Sequence, residues 1–515
     1  MPKTYRPKTY RLFQDYLDHH ASALPDKVAI ECDGSFVRYA ALAERSHRAA
    51  ASLQQAGLKA GDRVVYLGRS SIAFFELLYA CTRLGLCFVS LNWRLTDHEI
   101  SDQLDDSGPG IIFADGDFLT GIGASRHKSR PLVQLDGGEA YASWRNSAGQ
   151  SASYGVVDPE APALMMYTSG TTGRAKGVVV SQTAILASRQ GGPTSEAWND
   201  WSSDDVELVP TPLFHIAGCG WALIGLYHGA KIVVLRDFVP AEVIKTIEEK
   251  RVTRSIFVPA MLAFLLKEPG LASADLSSLD YLSYGASPMP ASLLKAALQA
   301  FPKTGFVQLY GMTETCGYAT YLPPEDHAPA FEYRRASVGK PFGGVDLSVR
   351  DVGGNPLPAG EVGEVWIKTP TVMNGYWDND EASKAVLEGG WYKTGDGGYL
   401  DRDGYLYLKD RIKDMIITGG ENVFPSEVEA VIAAHPAVAE VAVFGVPHEV
   451  WGEQVQAAVV LKPGLNLEPD VLIEFSEKNL AGYKLPRAVH FMQALPRNAS
   501  GKVLKRALRD EFLAV

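Results

Sequence analysis

The sequence predicts an α/β protein in which a large N-terminal domain is followed by a small α+β C-terminal domain. A chain of 515 residues exceeds the size at which one hydrophobic core keeps growing, so at least two domains are expected. Helical patterns alternate with short apolar runs between residues 35 and 310, as in doubly wound sheets. After residue 336 the pattern changes to short strands separated by glycine, which predicts a β-rich subdomain.

Two rounds of α/β pattern make up most of the large domain. In the first, from Ser35 to about Ser181, a helical pattern covers residues 40–56. Apolar runs of that round predict strands at 63–67, 110–113 and 163–166. The second round, from 206 to about 310, predicts strands at 231–235, 255–258, 281–283 and 304–309. Both rounds indicate mainly parallel sheets.

The C-terminal third is organised differently. Predicted strands of the β-rich subdomain lie at 345–349, 363–367 and 404–408. Further elements are then expected as strands at 414–418, 438–446 and 454–461 and as helices that begin near 426 and 467. Because the join at 410–413 has no Pro- or Ser-rich linker, we predict a short hinge there. The predicted domains are 1–411 and 412–515.

Composition narrows the class of protein. With 46% hydrophobic and 21% charged residues, the chain is an ordinary globular protein. A net charge of −11 argues against an extended nucleic-acid surface but leaves a local site for a small anion. Five cysteines without a CxxC pair indicate reduced thiols and a cytoplasmic location. A polar N-terminus and the absence of a long apolar run argue against secretion and membrane insertion.

The sharpest motif is a loop of glycines and hydroxyls that follows the apolar run 163–166. It reads Tyr-Thr-Ser-Gly-Thr-Thr-Gly-Arg-Ala-Lys-Gly from Tyr167 to Gly177. Glycines let backbone N–H groups face an anion, hydroxyls donate to phosphate oxygens and a lysine supplies charge. The motif is not a Walker A loop, and a plain surface turn does not need this combination. The predicted triphosphate ligands are Thr168, Ser169, Gly170, Thr171, Thr172, Gly173 and Lys176.

With this loop the chain resembles the adenylate-forming (ANL) superfamily, which contains acyl-CoA synthetases, firefly luciferase and peptide-synthetase adenylation domains. The resemblance extends from about Phe36 to Arg506 and is strongest to bacterial CoA ligases for aromatic and fatty acids. It implies two α/β sheets plus a β-barrel in the large domain, and a small mobile C-terminal lid with its hinge near Lys413. It also implies ATP, Mg²⁺ and coenzyme A, and an AMP-forming acid–thiol ligase that makes an acyl-adenylate and then an acyl-CoA.

The segment Gln308 to Glu314 matches the family motif that binds the nucleotide. By resemblance Tyr310 stacks on adenine, Thr313 touches phosphate, and Glu314 holds Mg²⁺ together with Thr168. A carboxylate is a hard oxygen ligand that suits this ion, whereas a tyrosine alone is more often a core aromatic. Further nucleotide contacts implied by the resemblance are Gly285, Ala286, Ser287, Gln308, Leu309, Gly311 and Met312.

Four further segments complete the implied catalytic machinery. Asp396 would accept the ribose hydroxyls and Arg411 would contact the nucleotide, although such residues are often turn or solvated positions. The loop with Gly419, Gly420 and Glu421 would enter the active site for thioester formation. Lys502 would bridge the attacking carboxylate and the α-phosphate, although a lysine near a chain end is usually exposed and dispensable. The residues with implied catalytic roles are Thr168, His215, Glu314 and Lys502.

The acid is expected in a pocket that opens at Pro212 to Gly218. A lone histidine there is more often a core residue, so His215 is a site residue without an assigned acid or base role. Amino-acid-activating relatives usually carry Asp in its place, which argues against an amino-acid substrate. The implied lining is Phe214, Trp221, Tyr284, Gly285, Ala286, Gly311, Met312 and Gly317. Trp221 either anchors the core or shortens the pocket, and the second possibility favours an aromatic or medium-chain acid.

Coenzyme A is expected on the small domain at Trp451, Tyr483 and Lys484, where the alternative is ordinary surface. Besides a CoA ligase, the sequence is compatible with an adenylation enzyme that loads a carrier protein, with a luciferase-like enzyme, or with a silent nucleotide-binding protein. The silent alternative is disfavoured because the catalytic set is intact. One departure from the family pattern, Ser181-Gln182 after the phosphate loop, affects the acid side of the site. A monomer or homodimer is expected.

Overall fold

A computed structural model of the chain describes residues 10–168, 175–190, 196–419, 421–497 and 503–513. The helices up to residue 300 are α1 (Asp15–Ala23), α2 (Tyr39–Gln55), α3 (Ile72–Leu84), α4 (Asp97–Ser107), α5 (Leu119–Ala124), α6 (Glu139–Arg145), α7 (Gln182–Gln190), α8 (Ile216–His228), α9 (Pro240–Lys250), α10 (Pro259–Leu265) and α11 (Ala291–Ala300). Those that follow are α12 (Asp380–Val386), α13 (Pro425–Ala433), α14 (Pro469–Glu477) and α15 (Lys505–Phe512).

The strands fall into four sheets within the described part of the chain. Those before residue 210 are β1 (Val28–Cys32), β2 (Ser35–Arg38), β3 (Arg63–Leu67), β4 (Cys87–Ser90), β5 (Ile111–Ala114), β6 (Leu132–Gln134), β7 (Pro162–Thr168), β8 (Lys176–Ser181) and β9 (Val206–Val209). The next are β10 (Lys231–Val234), β11 (Arg254–Phe257), β12 (Tyr281–Gly285), β13 (Gly305–Met312), β14 (Gly317–Leu322), β15 (Lys340–Pro341), β16 (Asp346–Arg350), β17 (Gly363–Lys368) and β18 (Gly375–Tyr376). The last are β19 (Leu387–Glu388), β20 (Trp391–Leu400), β21 (Leu406–Arg411), β22 (Ile416–Thr418), β23 (Glu421–Val423), β24 (Val438–His448), β25 (Gly452–Leu461) and β26 (Ala488–Phe491).

The chain divides into two compact units. The larger unit comprises the described residues up to 347 together with 367–392. The smaller unit comprises 348–366 and the described residues from 393 onwards. The boundary expected at 411/412 and the hinge near Lys413 remain predictions.

The larger unit contains two wide sheets. The nine-stranded sheet has the order β15-β14-β13-β12-β11-β9-β10-β1-β2, with a parallel centre and antiparallel strands at both edges. The seven-stranded sheet has the order β18-β8-β7-β4-β3-β5-β6. The predicted α/β class is confirmed, but the N-terminal hairpin β1–β2 joins the sheet of the second round and not that of the first.

The two wide sheets share one apolar core. Its buried residues include Ile30 and Ile232 from the nine-stranded sheet and Val64 and Phe88 from the seven-stranded sheet. Helices α2, α3 and α8 contribute Leu42, Leu77 and Leu226 to it. Continuous apolar strands such as these are expected where helices cover both faces of a parallel sheet.

Local sequence sets the ends of several helices. Thr96 and Glu99 form a capping box at the start of α4, which satisfies two exposed N–H groups. Helices α3 and α8 end at Gly85 and Gly229, both in the left-handed conformation that glycine adopts without strain. The end of α8 is therefore fixed by its own sequence.

The remaining two sheets have five strands each. One has the order β16-β17-β20-β19, with β21 paired to β20. The other, in the smaller unit, has the order β23-β22-β25-β24, with β26 paired to β25. Val428, Ile432 and Leu472 from α13 and α14 pack in the core of this last sheet. Within the described residues, no helix is both long enough and apolar enough to cross a membrane.

We expect Gly285→Ala to destabilise the larger unit by about 1 to 3 kcal/mol or more, because overpacking moves backbone. A Cβ at this position would lie 2.1 Å from the main-chain oxygen of Leu309 on β13. Urea unfolding measures the effect. Gly123→Ala is the matched control, since its Cβ would meet no atom within 4 Å. Equal stability of the two variants would contradict the close contact of β12 with β13.

Candidate functional site

A β-hairpin positions the two ends of the phosphate loop. Strands β7 and β8 pair antiparallel, with Thr168 opposite Lys176 and Tyr167 opposite Gly177. The apolar residues of both strands are buried and hold this register. The predicted ligands Thr168 and Lys176 are therefore neighbours at the end of the hairpin where the chain passes from β7 to β8, whereas Ser169, Gly170, Thr171, Thr172 and Gly173 lie outside the described residues.

Tyr376 connects the predicted phosphate lysine with the predicted metal ligand. The Lys176 ammonium lies 4.8 Å from the centroid of the Tyr376 ring, within the range of a cation–π contact. The Tyr376 hydroxyl donates to Oε1 of the buried Glu314 over 3.1 Å. Strand β18 places the tyrosine there by pairing with β8, where Tyr376 stands opposite Val178. The motif analysis missed Tyr376, which stands in a strand of only two residues, Gly375–Tyr376.

Glu314 sits in a 3-10 turn, Thr313–Thr315, at the end of β13. Thr315 holds this turn, because its hydroxyl donates to the carbonyl oxygens of Met312 and Gly317. A bulge between Tyr310 and Gly311 precedes the turn and changes the direction of the strand. Gln308, Leu309, Tyr310, Gly311, Met312 and Thr313 thus run from the buried sheet to the half-buried edge beside Glu314.

The strand next to β13 ends at the same edge of the sheet. Gly285 pairs with Leu309, and Ala286 follows with φ of 66°, a left-handed conformation that alanine rarely adopts. Ala286 and Ser287 are exposed there. Strained residues beyond the carboxyl ends of parallel strands are a common feature of ligand sites.

His215 precedes the first residue of α8 and packs against Phe214, with 4.4 Å between the ring centroids. Burial lowers the pKa of His215 to about 4, and the nearby Arg94 charge adds to this effect. Arg94 itself lies over the rings of Trp93 and Phe214. The imidazole is therefore neutral near pH 7, so it is not a source of positive charge for a carboxylate.

Trp221, one and a half turns further along α8, is 4% exposed and lines a cavity of 140 Å³. It also meets Trp201 edge to face, with 5.3 Å between the ring centroids. Both alternatives for Trp221 are thus present, because it packs in the core and bounds a cavity. Leu309 and Tyr318, the residue after Gly317, line the same cavity.

The structure does not bring Tyr284 together with Trp221. Tyr284 is fully buried in a different apolar cluster, with Leu282 and Phe306. Its hydroxyl donates to Gln308 over 3.3 Å and lies 2.9 Å from Nε2 of His327. Its neighbour Ser283 lines the cavity instead, because adjacent strand residues face opposite sides of a sheet. The predicted place of Tyr284 in the acid pocket gains no support from this arrangement.

In the smaller unit, the two predicted nucleotide residues form a pair. Asp396 on β20 stands opposite Arg411 on β21, and Arg411 Nε lies 3.5 Å from Asp396 Oδ1. The backbone N–H of Asp396 donates to the Thr394 hydroxyl, which in turn donates to Val365. Lys413 is exposed in the 3-10 turn that follows β21.

The predicted thioester loop packs against the predicted coenzyme A surface. The N–H of Gly419 donates to the carbonyl oxygen of Trp451 over 2.8 Å, and Glu421 stands opposite Thr418. A Cβ at Gly419 would lie 3.0 Å from the Trp451 ring, so glycine allows this approach. Trp451 is 57% exposed. Gly420 lies outside the described residues.

Tyr483 is exposed, in a 3-10 turn that contacts β23. The motif suggests that Lys484 contacts coenzyme A. In the structure its ammonium lies 2.6 Å from Glu427 and forms an ion pair with it. Lys502 lies outside the described residues, and the described residues on either side of this gap are bonded to each other. Arg497 and Val503 form an antiparallel bridge.

Among the described residues, no three His, Cys, Asp or Glu side chains come together as a metal site. A single buried carboxylate such as Glu314 nevertheless fits Mg²⁺, which one or two carboxylates usually hold together with substrate phosphates. All five cysteines are buried free thiols, as the sequence predicts.

Comparison with known proteins gives matches over nearly the whole chain. Residues 17–377 match the AMP-binding enzyme family and residues 427–502 match the AMP-binding enzyme C-terminal domain. The fatty acid–acyl-carrier-protein ligase ScoC of Streptomyces coeruleorubidus is 40% identical over 99% of this chain and 98% of that protein. The indoleacetate–CoA ligase of Aromatoleum aromaticum is 36% identical over 96% of this chain and 97% of that protein.

Comparison with solved structures also gives matches over nearly the whole chain. The o-succinylbenzoate CoA synthetase of Bacillus subtilis, in complex with its acyl-adenylate intermediate, superposes with a TM-score of 0.86 and 32% identity, over 98% of this chain and 99% of that chain. The same synthetase with ATP and magnesium gives a TM-score of 0.83 and 32% identity, over 96% and 99%. The chain therefore belongs to the AMP-binding enzyme family.

Proposed function

We propose that this chain is an ATP-dependent carboxylic acid–coenzyme A ligase. It converts an acid and ATP to acyl-AMP and pyrophosphate, and then transfers the acyl group to coenzyme A with release of AMP. The contact of Lys176 and Glu314 through Tyr376 carries the proposal, since it joins a phosphate-binding cation to a carboxylate suited to Mg²⁺. The relatives confirm the predicted class, an acid–thiol ligase.

In the first half-reaction, an oxygen of the acid attacks the α-phosphorus of ATP and the bond to the bridging oxygen of pyrophosphate breaks. Lys176 and the phosphate loop grip the triphosphate, while Glu314 and Thr168 hold Mg²⁺. The bound ion would offset phosphate charge. Tyr310 provides the adenine surface. Lys502 bridges carboxylate and α-phosphate in the transition state, where a preorganised charge is most effective.

Asp396 and Arg411 bind the rest of the nucleotide in this proposal. The carboxylate accepts hydrogen bonds from the ribose hydroxyls, and the Arg411 guanidinium, whose Nε lies 3.5 Å from Asp396 Oδ1, contacts the nucleotide beside it. Ala286 and Ser287 are exposed just after the buried Gly285 at the end of β12, where a ligand can approach them.

In the second half-reaction the sulfur of coenzyme A attacks the acyl carbon and AMP leaves. The exposed rings of Trp451 and Tyr483 offer stacking surfaces for the adenine of coenzyme A, next to the loop of Gly419 and Glu421. Lys484 would contribute to phosphate binding only after its ion pair with Glu427 opens.

The acid is aromatic or of medium chain length in this proposal, because the cavity that Trp221 lines has a volume of only 140 Å³. His215, neutral at pH 7, orients the acid without acting as a general base. We further propose a cytoplasmic enzyme, which the five free thiols support, acting as a monomer or homodimer.

A second candidate acceptor is a carrier protein, and one comparison favours it. ScoC, which is 40% identical, is named a fatty acid–acyl-carrier-protein ligase. In that alternative the phosphopantetheine thiol of the carrier attacks the same adenylate, and the nucleotide surface at Trp451 has no function.

We expect the Trp451→Ala enzyme to need about 5- to 150-fold more coenzyme A, since stacking of a base on an aromatic ring contributes about 1 to 3 kcal/mol. Pyrophosphate release should stay at the wild-type rate. Thioester formation with free coenzyme A and with a phosphopantetheinylated carrier protein measures both. Tyr333→Ala, which removes an aromatic residue of equal exposure from the larger unit, is the control. Discharge of the adenylate by the carrier protein alone would favour the second candidate.

We expect His215→Asn to lessen the loss of stability in mild acid. The folded pKa is about 4 and the ordinary value is 6.5, so between these values the unfolded chain binds a proton that the folded protein does not. Falling pH therefore destabilises the wild type through this group, by about 1 to 2 kcal/mol between pH 7 and pH 5. Urea unfolding at the two pH values measures it. Parallel pH dependence in both proteins would mean that His215 is not held neutral.

Lys502→Ala should lose about 10²- to 10³-fold in adenylate formation from acid and ATP, the usual effect of removing one transition-state charge contact. With synthetic acyl-adenylate and coenzyme A, the same variant should form thioester at close to the wild-type rate.

Lys505→Ala is the matched control for Lys502→Ala. Lys505 pairs with Glu429 at 2.7 Å and has no place in the proposed reaction, so both half-reactions should remain. Equal loss in the two assays, with a lowered Tm, would assign Lys502 a structural role.

A further inference from the structure

The cavity beside Trp221 has a polar end. Side chains of α7, α8, β13 and β14 line its 140 Å³. Trp221 lies about 9 Å along α8 from His215, from the helical rise of 1.5 Å per residue. An acid with its carboxylate near His215 would have to span a distance of this size to reach the cavity.

Arg189 on α7 lines the cavity and is 8% exposed. Within the described residues, its Nε and Nη1 atoms have no hydrogen-bond partner and the guanidinium has no ion pair. Arg254 in the same wall is different, because it bonds to Asp205 at 3.0 Å and to two backbone carbonyls. A buried cation without partners is costly, and proteins normally satisfy it. Arg189 thus has N–H donors that no described residue accepts from and that a ligand could use.

Two more buried donors belong to the same wall. The indole N–H of Trp221 and the hydroxyl of Tyr318 have no hydrogen-bond partner in the part of the chain that the structure describes. A third ionisable side chain near the cavity, besides Arg189 and Arg254, is Glu207. Burial raises the pKa of its carboxyl well above the ordinary range, against the opposing charge of Arg189. Neither carboxyl oxygen of Glu207 has a hydrogen-bond partner among the described residues, so Glu207 does not bond to Arg189.

We infer that this cavity binds a second carboxylate at the far end of the acid, which accepts hydrogen bonds from Arg189, Trp221 and Tyr318. The inference rests on the proposed ligase function and narrows its substrate class to dicarboxylic acids. A guanidinium matches a carboxylate with two parallel hydrogen bonds. The volume is close to that of cavities of about 150 Å³ that hold one benzene ring, so a carboxylate fits. Ordered water is the other possible occupant.

The test compares acids in matched pairs: hexanoate with hexanedioate, octanoate with octanedioate, and 3-phenylpropanoate with 3-(4-carboxyphenyl)propanoate. Pyrophosphate release gives kcat/KM for each acid. For at least one pair, the wild type should prefer the diacid. Arg189→Met should lower that preference about 10- to 100-fold, the usual effect of losing a charged hydrogen bond. Tyr318→Phe, which removes one hydroxyl and keeps the ring, should lower it less, and Arg189→Lys should restore part of it.

Thermal stability distinguishes a ligand-binding role of Arg189 from a structural role. Arg189→Met should keep or raise Tm, because it removes an unsatisfied buried charge. Arg83→Met is the matched control: Arg83 is equally buried but bonds to Asp18 at 2.8 Å, so this variant should lose stability without a change in acid preference.

Three results would overturn the inference. The first is a wild-type preference for the monoacid in every pair. An equivalent result is a diacid-to-monoacid ratio of kcat/KM that Arg189→Met and Tyr318→Phe both leave unchanged, as expected if the cavity holds water only. The second is a loss of Tm in Arg189→Met with the same change of ratio in Arg83→Met. The third is failure to activate any acid, which removes the proposed function itself, whereas the first two leave it intact.

Discussion

Backbone contact between β13 and its two neighbouring strands is the constraint on which the site depends. Gly285 meets the carbonyl oxygen of Leu309 on one side, and Gly311 meets that of Gly317 on the other, where a Cβ would lie 1.8 Å away. Side chains at these positions would force the strands apart. With the strands this close, the bulge after Tyr310 directs the chain into the turn that carries Glu314. Tyr376 then connects this turn to the other wide sheet, because its hydroxyl donates to Glu314 and its ring contacts Lys176.

The buried polar groups of the larger unit follow two different rules. Arg83 and Arg254 are each satisfied by a carboxylate and by further acceptors, as stability requires. Arg189 is buried, and its Nε and Nη1 atoms have no such partner among the described residues, whereas the half-buried His215 has a pKa lowered to about 4 and is neutral near pH 7. Groups that cost folding energy in this way tend to serve ligands, because the fold itself gains nothing from them.

Much of the local structure could be predicted from the sequence. The predicted strands at 63–67 and 231–235 became β3 and β10 to within one residue, and the helical pattern at 40–56 became α2. These elements depend on hydrophobic period, which neighbouring residues alone define. The sequence also allowed Thr168, Lys176 and Glu314 to be predicted as ligands, because their chemistry and spacing are local, and these roles stay predictions.

Contacts between residues far apart in the chain could not be predicted from the sequence. No local pattern indicates that β1 pairs with β10, about 200 residues later, or that the two-residue strand β18 adds to β8. Tyr376, Arg189 and Tyr318 therefore escaped notice, and Tyr284 was expected in a pocket on the opposite face of its sheet. Pairing of remote strands depends on burial and backbone hydrogen bonds that a motif does not contain.

By itself the sequence determined the family of this protein and much of the order of its helices and strands, and it predicted the residues that bind the triphosphate, because each depends on side chains close together in the chain. The tertiary structure decided what those residues touch. It placed Tyr376 between Lys176 and Glu314, paired Lys484 with Glu427, and left Arg189 buried beside an open cavity. Charge, burial and distance are properties of packed neighbours, and only the folded chain brings those neighbours together.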